Sequence, residues 1–578
     1  MHKKKKFYFY KFSKKINKII FWRFNTKNKE IKILNKNFYF LWLFILLILI
    51  FVLTYFSFSK NNVNYHSNQR FIYFLKEIFK YKNKSSFFSR DNLLIYSLEI
   101  LFNSFKITIG ATFLGFSLAV LTSFFSSEKI HNNWFSKIFR FLIIFLRALP
   151  VIIFATILKK IFDPNEALFW IYFWFTWLWI HKYLSDIINN YNLESYYLSL
   201  KLGNNKYKAF YNEILLKIKS RIFSLYFYSL ESNFRWISLL GSLGISGIGA
   251  LIYIPISSDI NNSISEITIP LTVFMSFLII NEIFSFLINH FLFEKKYSFS
   301  NKTKINSLKY NFRFLLILFL FIITLAIFIW SILDLEKNYS KIFLFTNFFS
   351  RLMQINFKTI FSFNQISPLP LLFKVIWQSF IITIYVSIFG LFLGIFQSQK
   401  INNKFQSLIL KIFSLIVRII PFIVLFFIFD IYWFDSFTTI FLLTIFLNSF
   451  SFSKIVSTMV DKIDIIFYDN LKKQGYSYFK IIFIFIIPFI KKELIIQILF
   501  LYENISRSVI VYGVFSSGIN LGSQIQIYTE REQFSVLSNY LLPIIIFFIS
   551  LEYISIKLKK NKVKKIKLKN NFLAKLKF

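Results

Sequence analysis

Phe38 to Ser57 reads FYFLWLFILLILIFVLTYFS, a run without a single charge. Crossing the hydrocarbon layer of a bilayer takes roughly 20 apolar residues, because a helix rises about 1.5 Å per residue. In lipid every backbone polar group must be satisfied internally, which leaves helices and closed barrels. The apolar runs here are continuous rather than alternating, so they predict helices. Further spans are expected over 99–125, 138–160, 166–184, 218–240 and 268–292. After a polar, basic stretch from Glu294 to Arg313 they resume over 314–334, 375–397, 408–430, 437–453, 490–513 and 535–556. The fold class is therefore an all-α polytopic membrane protein with about twelve transmembrane helices, six in each half. A 56% hydrophobic composition accords with this.

Lys and Arg total 69 against 27 Asp and Glu, a net charge of +42. Such an excess first suggests nucleic acid. Its placement argues otherwise: it is concentrated in 1–36, 293–313 and 557–577, between and beyond the apolar runs. Cytoplasmic loops of membrane proteins carry this bias, and anionic lipid headgroups attract it. No aromatic-basic RNA-binding module accompanies it. The expected partner is the lipid bilayer, with no nucleic acid. An even number of spans puts both termini on one side, which the charge makes the cytoplasm of a cell (plasma) membrane protein. The organisation expected is a basic arm 1–37, a first half 38–292, a basic linker 293–313, a second half 314–556 and a basic tail 557–578. The loops 185–217 and 454–489 then also face the cytoplasm. There is no Cys, which removes disulfides, thiolate metal sites and cysteine nucleophiles. The first apolar run is too long for a signal peptide, and no small-residue cleavage site follows Phe58, so it reads as a retained helix.

The two halves read as repeats. Arg147-Ala148-Leu149-Pro150 is answered by Arg418-Ile419-Ile420-Pro421. Gly203 precedes Glu231 by 28 residues, as Gly475 precedes Glu503. Glu231-Ser232-Asn233-Phe234-Arg235 is answered by Glu503-Asn504-Ile505-Ser506-Arg507, and six residues further on Gly241 is answered by Gly513. Ser104 and Thr108 match Ser379 and Thr383. Six spans separate equivalent points, so the repeats run in the same direction, related by an axis along the membrane normal.

The second internal loop reads Asp469-Asn470-Leu471, then Gly475, then Ile487-Pro488. This resembles the cytoplasmic loop signature of ABC importer permeases, with Asp469 where that family usually has Glu. In the first half Gly203 is kept, while Tyr197-Leu198 replace the Glu-Ala, and Leu216, after Leu215, stands in place of the Pro. A short exposed helix ended by Gly can seat in a groove on another protein; an ordinary loop with a capping Gly is the plainer alternative. The segment from Glu231 to Arg235, followed by Gly241, Gly244, Gly247 and Gly249, resembles the phosphonate-type permeases of that class. The resemblance covers about 100–292 and recurs more weakly over 375–556, where the glycine segment includes Gly513 and Gly518. It implies a type I ABC importer fold, two cytoplasmic ABC ATPase subunits docking on the loops around Gly203, Leu215, Asp469, Asn470, Gly475 and Pro488, and an extracellular solute-binding lipoprotein. Members are often single-repeat homodimers, so this chain looks like two such subunits fused.

The glycines lack the strand-turn-helix context of a dinucleotide fingerprint and read as close helix packing or a tight turn. Glu231 and Arg235 lie one helical turn apart, as do Glu503 and Arg507. Charges inside a span face protein or a water-filled path. These four, with Asn233, Arg147 and Arg418, either fix helix packing or line a pathway that attracts an anion; the residues alone leave both open. The His residues show no ligand spacing, and no metal site is expected. No phosphate-cradling Gly-x-x-x-x-Gly-Lys-Ser/Thr stretch exists, so no cofactor is expected on this chain, which is not an enzyme; ATP is used by a partner subunit. The loops 59–98 and 335–374, at about forty residues, are too small for a solute-binding domain. The expected function is transport of a phosphonate or phosphate-bearing solute. The alternative is an ion-coupled secondary transporter, which would not account for the repeated cytoplasmic glycine loop.

Overall fold

The computed structural model describes residues 21–26, 29–34, 48, 52, 54, 67–88, 91–127, 129–131, 134–258, 264–289, 303–335, 341–352, 354–431, 433, 436–516 and 518–574. The chain divides into two compact units, Met1–Asn62 and Val63–Phe578. In the first, strands β1 (Phe21–Thr26) and β2 (Lys29–Leu34) pair antiparallel, with Phe21 opposite Leu34 and Thr26 opposite Lys29. The basic arm thus contains a hairpin that charge alone did not suggest. The span expected over 38–58 lies outside the described residues except at Ile48, Val52 and Thr54.

The second unit is helical. Its helices are α1 (Asn68–Ile78), α2 (Leu93–Ser126), α3 (Trp134–Ala148), α4 (Val151–Ile161), α5 (Pro164–Asn190) and α6 (Glu194–Lys201). There follow α7 (Lys206–Phe210), a π-helical turn (Tyr211–Leu215), α8 (Leu216–Ser242), α9 (Ile248–Ser257) and α10 (Thr268–Asn289). After α11 (Thr303–Leu333), α12 (Phe343–Leu352) and α13 (Phe357–Ile360), the order of α2 to α10 recurs. It runs α14 (Pro368–Gln397), α15 (Lys404–Ile419), α16 (Phe422–Asp430), α17 (Ser436–Val460), α18 (Ile465–Lys473) and α19 (Tyr478–Ile481). A second π-helical turn (Ile482–Ile486) leads to α20 (Ile487–Tyr512), α21 (Leu521–Glu530) and α22 (Phe534–Ala574).

Seven helices among the described residues are long and apolar enough to cross a membrane, or nine if each of two bent pairs is one span. α5 and α8 stand where spans were expected over 166–184 and 218–240. Each has 27 residues but is less apolar than that group, α5 through its Trp, Tyr, His and Lys residues and α8 through Glu231, Asn233 and Arg235. The expectations over 138–160 and 408–430 need correction. Each run is two helices, bent by 80° between α3 and α4 and by 79° between α15 and α16. The cause is Pro150 and Pro421, which cannot donate to a helix and sit in extended backbone (ψ 136° and 134°) at the start of the second limb. Helix α11 begins at Thr303, inside the stretch expected as the basic linker, and α22 continues into the basic tail as helix to Ala574.

α11 follows the linker in sequence, yet it packs on α2. The Lys106 ammonium pairs with Asp334 and lies 5.0 Å from the Trp330 ring, and Phe113 meets Phe328 at 5.3 Å. Within the first half α2 crosses α5, and within the second α14 crosses α17. The connections that precede α2 and α14 are strapped to the start of the last helices of each half. Glu266 accepts from Lys82 Nζ and Ser85 Oγ, both at 2.8 Å. On the second half Asn539 Oδ1 accepts from the Asn356 amide at 2.8 Å and Ser538 Oγ donates to the Gln354 carbonyl at 2.9 Å.

The glycine segments let short helices lie directly on long ones. A Cβ at Gly241 would stand 2.1 Å from the Gly249 carbonyl carbon, and one at Gly249 would stand 2.3 Å from the Ile237 oxygen. In the second half a Cβ at Gly522 would stand 2.0 Å from the Ile510 oxygen, whereas at Gly513 the nearest atom is 3.6 Å away. Backbone cannot give way as a side chain can. Gly249→Val and Gly522→Val are therefore expected to lose at least about 1–3 kcal/mol through overpacking, read as loss of monodisperse protein in detergent. Gly513→Ala should remain near wild type in the same assay.

Candidate functional site

The two bends carry the two arginines singled out from the sequence. α3 is amphipathic and ends on Arg147 and Ala148, just before Pro150. Arg147 is buried, and its guanidinium pairs with Glu552 of α22. Lys182 of α5 joins the same carboxylate at 3.2 Å and donates to Glu503 Oε2 of α20 at 2.7 Å. Glu503 also accepts from Arg507 at 3.1 Å, one helical turn on. Arg507 Nη1 in turn donates to the Arg147 carbonyl at 2.6 Å, satisfying one of the acceptors that a helix end leaves open. Arg507 lies over the Phe548 ring at 4.1 Å and Trp179 at 5.6 Å, and Lys182 over Phe500 at 5.1 Å. Five ionised side chains, two from the first half and three from the second, make one buried cluster.

The other bend has the reciprocal arrangement. Arg418, in the last turn of α15, reaches Glu282 of α10 at 3.3 Å. Lys454 of α17 reaches the same carboxylate at 3.1 Å, and so does Arg235 of α8. Arg235 also pairs with Glu231. Here two cations come from the second half, and two carboxylates and one arginine from the first. Arg147, Lys182, Glu503, Arg507 and Glu552 thus answer to Arg418, Lys454, Glu231, Arg235 and Glu282. Each cluster holds three cations and two carboxylates. The Nε–H groups of both Arg235 and Arg507 are buried without an acceptor.

The helix-turn pairs Glu231–Arg235 and Glu503–Arg507 are therefore parts of larger assemblies. Lys182, Lys454, Glu282 and Glu552 were not singled out from the sequence, because each stands alone within or at the edge of an apolar span, without a charged partner one helical turn away that repeats in the other half. The signal was available: Lys182 and Lys454 lie 272 residues apart, as do Glu231 and Glu503. Asn233 stands apart from the cluster. Its amide donates to Thr112 Oγ1 at 2.8 Å and Thr176 Oγ1 at 2.9 Å, tying α8 to α2 and α5. In the second half its place is taken by Ile505, and the neighbouring Asn504 keeps a buried Oδ1 without a donor.

The two loops with glycine also have one geometry. α6 and α18 end at Gly203 (φ 85°) and Gly475 (φ 79°), a backbone region that favours glycine. The amides of Gly203 and Asn204 donate to the carbonyls of Leu200 and Ser199, and those of Gly475 and Tyr476 to Lys472 and Leu471. This is the Schellman closure of a helix C-terminus. Nothing lies within 4 Å of a Cβ at either glycine. Around them Leu198, Leu202, Tyr207 and, in the second loop, Ile466, Phe467 and Phe479 are exposed. Asp469 and Asn470 are exposed on α18, and Pro488 is exposed in the first turn of α20. Leu215 closes the π-helical turn and packs on the cluster that includes Tyr196 and Ile214. Beside it, the hydrogen bond from Lys217 holds the Glu213 carboxyl below its ordinary pKa. Gly244 and Gly247 have positive φ, and the Gly518 carbonyl accepts from Ser523 Oγ at 3.3 Å.

A multi-pass helical protein with charge clusters between its halves and paired exposed helix–glycine loops has the features of a transport permease. Residues 111–298 match the family described as "Binding-protein-dependent transport system inner membrane component". The chain is 30% identical over 451 residues to the "ABC transport system permease protein p69" of Mycoplasma genitalium, covering 77% of this chain and 82% of the relative. It is 28% identical over 486 residues to the protein of the same description from Mycoplasma pneumoniae, covering 82% and 87%. No solved structure gives a significant match. The chain belongs to the ABC transport system permease family.

Neutralising a shared carboxylate should be costly. Glu552→Gln leaves Arg147 without its carboxylate and Lys182 with one instead of two, and breaking a buried pair costs about 3–5 kcal/mol. The expected outcome is a lowered unfolding midpoint in a detergent thermal-shift assay. Glu231→Gln should only partly rescue Arg235→Gln in that assay, because Glu282 still faces the missing charge.

Proposed function

We propose that the chain is the fused membrane-spanning subunit of an ABC importer. It moves a phosphonate or phosphate-bearing solute delivered by an extracellular binding protein and powered by separate ATPase subunits. In this reading the stretches from α2 to α10 and from α14 to α22, each with a preceding span, are two parallel six-helix repeats. The pathway lies between them and opens alternately. The observation that carries the reading is the pair of exposed helix–glycine loops at Gly203 and Gly475, alike in backbone and in place along the chain. The likeness to the Mycoplasma ABC transport system permeases adds to it. The matched family's description names binding-protein-dependent systems.

The solute class rests on the likeness of Glu231–Gly249 to phosphonate-type permeases and on the excess of cations in the more open Glu282 cluster. An ion-coupled secondary transporter would also place charges inside spans. It gives no reason for two exposed apolar helix–glycine loops. Docking on the loops places them, both termini and the linker in the cytoplasm. The tail's Lys residues then meet the anionic leaflet.

Gly475→Asp tests the docking role. Its side chain has room, so the damage comes from the left-handed backbone, strained by roughly 1–2 kcal/mol for an L-residue, and from a charge on the apolar seat. The expected result is loss of copurifying ATPase subunits and of stimulated hydrolysis, with the spans intact. Gly203→Asp should have the smaller effect, since its loop lacks the acidic residue and the Pro. Retention of ATPase subunits and normal hydrolysis after Gly475→Asp would remove the docking role.

A further inference from the structure

The two charge clusters have the same composition but not the same closure. Around Glu552 every member is enclosed: the side chains of Lys182 and Arg507 are 6% and 10% exposed. Around Glu282 the corresponding Lys454 and Arg235 are 49% and 26% exposed. The difference has a local cause. Trp179, Phe500 and Phe548 cover the first cluster. The positions that correspond to them by the same offsets are Ser451, Tyr228 and Leu278. Among the described residues no aromatic ring covers Lys454 or Arg235. Lys182 has two carboxylate partners, whereas Lys454 has one. Arg507 spends one donor on the Arg147 carbonyl, and Arg235 has no such bond to Arg418.

We infer that the clusters have divided two tasks. The Glu552 cluster is a closed joint between the halves. The Glu282 cluster is an oxyanion-binding site, with Lys454 at its open edge, Arg235 partly exposed beside it, and one more cation than it has carboxylates. A phosphate or phosphonate group suits it, because charge-assisted donors from an arginine and a lysine converge there. The site serves the transport reading above, which places it at the boundary between the halves. A free solute and a lipid headgroup offer the same oxyanion, so the test separates them.

The test uses the permease with its ATPase subunits in discs of phosphatidylcholine alone, with inorganic phosphate and methylphosphonate as probes in calorimetry. Wild type should bind saturably. Lys454→Gln should weaken binding about tenfold, the loss of one charge-assisted hydrogen bond, and Lys454→Arg should recover most of it. Lys454→Gln, at a half-exposed ion pair, should lower the unfolding midpoint much less than Lys182→Gln, which distinguishes site from joint. If phosphate fails to bind but phosphatidylglycerol copurifies with wild type and not with Lys454→Gln, the site stands with a headgroup as its ligand. Binding unchanged in Lys454→Gln, or no binding of any of the three anions by wild type, overturns it. A complex that binds phosphate yet never couples ATP hydrolysis to uptake sinks the importer reading and leaves the site. Uptake without anion binding does the reverse.

Discussion

A charge buried away from water has to be paired, and here the partners are supplied across the halves. Arg147 and Lys182 find their carboxylates on α20 and α22, some 320 to 400 residues further along the chain. Arg418 and Lys454 find theirs on α10. Removing a carboxylate strands a cation in a medium that solvates it poorly, so each half is incomplete alone. The clusters sit beside the two sharp bends, where helix ends already present unsatisfied carbonyls. The bond from Arg507 to the Arg147 carbonyl ties one bend to the opposite half.

The bends and the glycines serve this arrangement. A straight helix over 134–161 would close the Arg147 carbonyl with the Val151 amide, whereas the break at Pro150 leaves that carbonyl open to Arg507. Gly241 against Gly249, and Gly522 against the Ile510 carbonyl, hold short helices against long ones. Asn233 bonds Thr112 and Thr176 in the first half, and Ser453 bonds Gln397 between α17 and α14 in the second. The two halves therefore share a backbone plan while differing in what fills it. Covering aromatics lie at Trp179, Phe500 and Phe548, and smaller or displaced groups stand at the matching places.

Much of the fold was legible in hydropathy, because the cost of leaving backbone groups unpaired in lipid makes apolar length a direct indicator of helices. The long straight spans followed from it. The bends did not, since an apolar run reads the same whether or not Pro150 breaks it, and only the matching Arg and Pro pairs hinted at a shared feature. Of the candidate site, Arg147, Arg235, Arg418 and Arg507 stood out through repeated spacing. Lys182, Glu282, Lys454 and Glu552 did not, because their partners lie on other helices, from 47 residues away for Glu282 and Arg235 to 405 for Glu552 and Arg147, and no local pattern marks them. Glu231 and Arg235 read as a pair one helical turn apart; Glu282, on another helix, shares Arg235 with Glu231. The hairpin of Phe21–Leu34 was hidden by its basic composition.

The central claim is that ionic contacts between the halves hold the unit together, and Lys182 with Glu503 is its most direct test. A double-mutant cycle of Lys182→Gln and Glu503→Gln, read by thermal unfolding in detergent, isolates their interaction. The account predicts coupling of about 1–3 kcal/mol, the upper part of the range for residues in contact within one network. Additivity of the two single effects to within about 0.5 kcal/mol would contradict it.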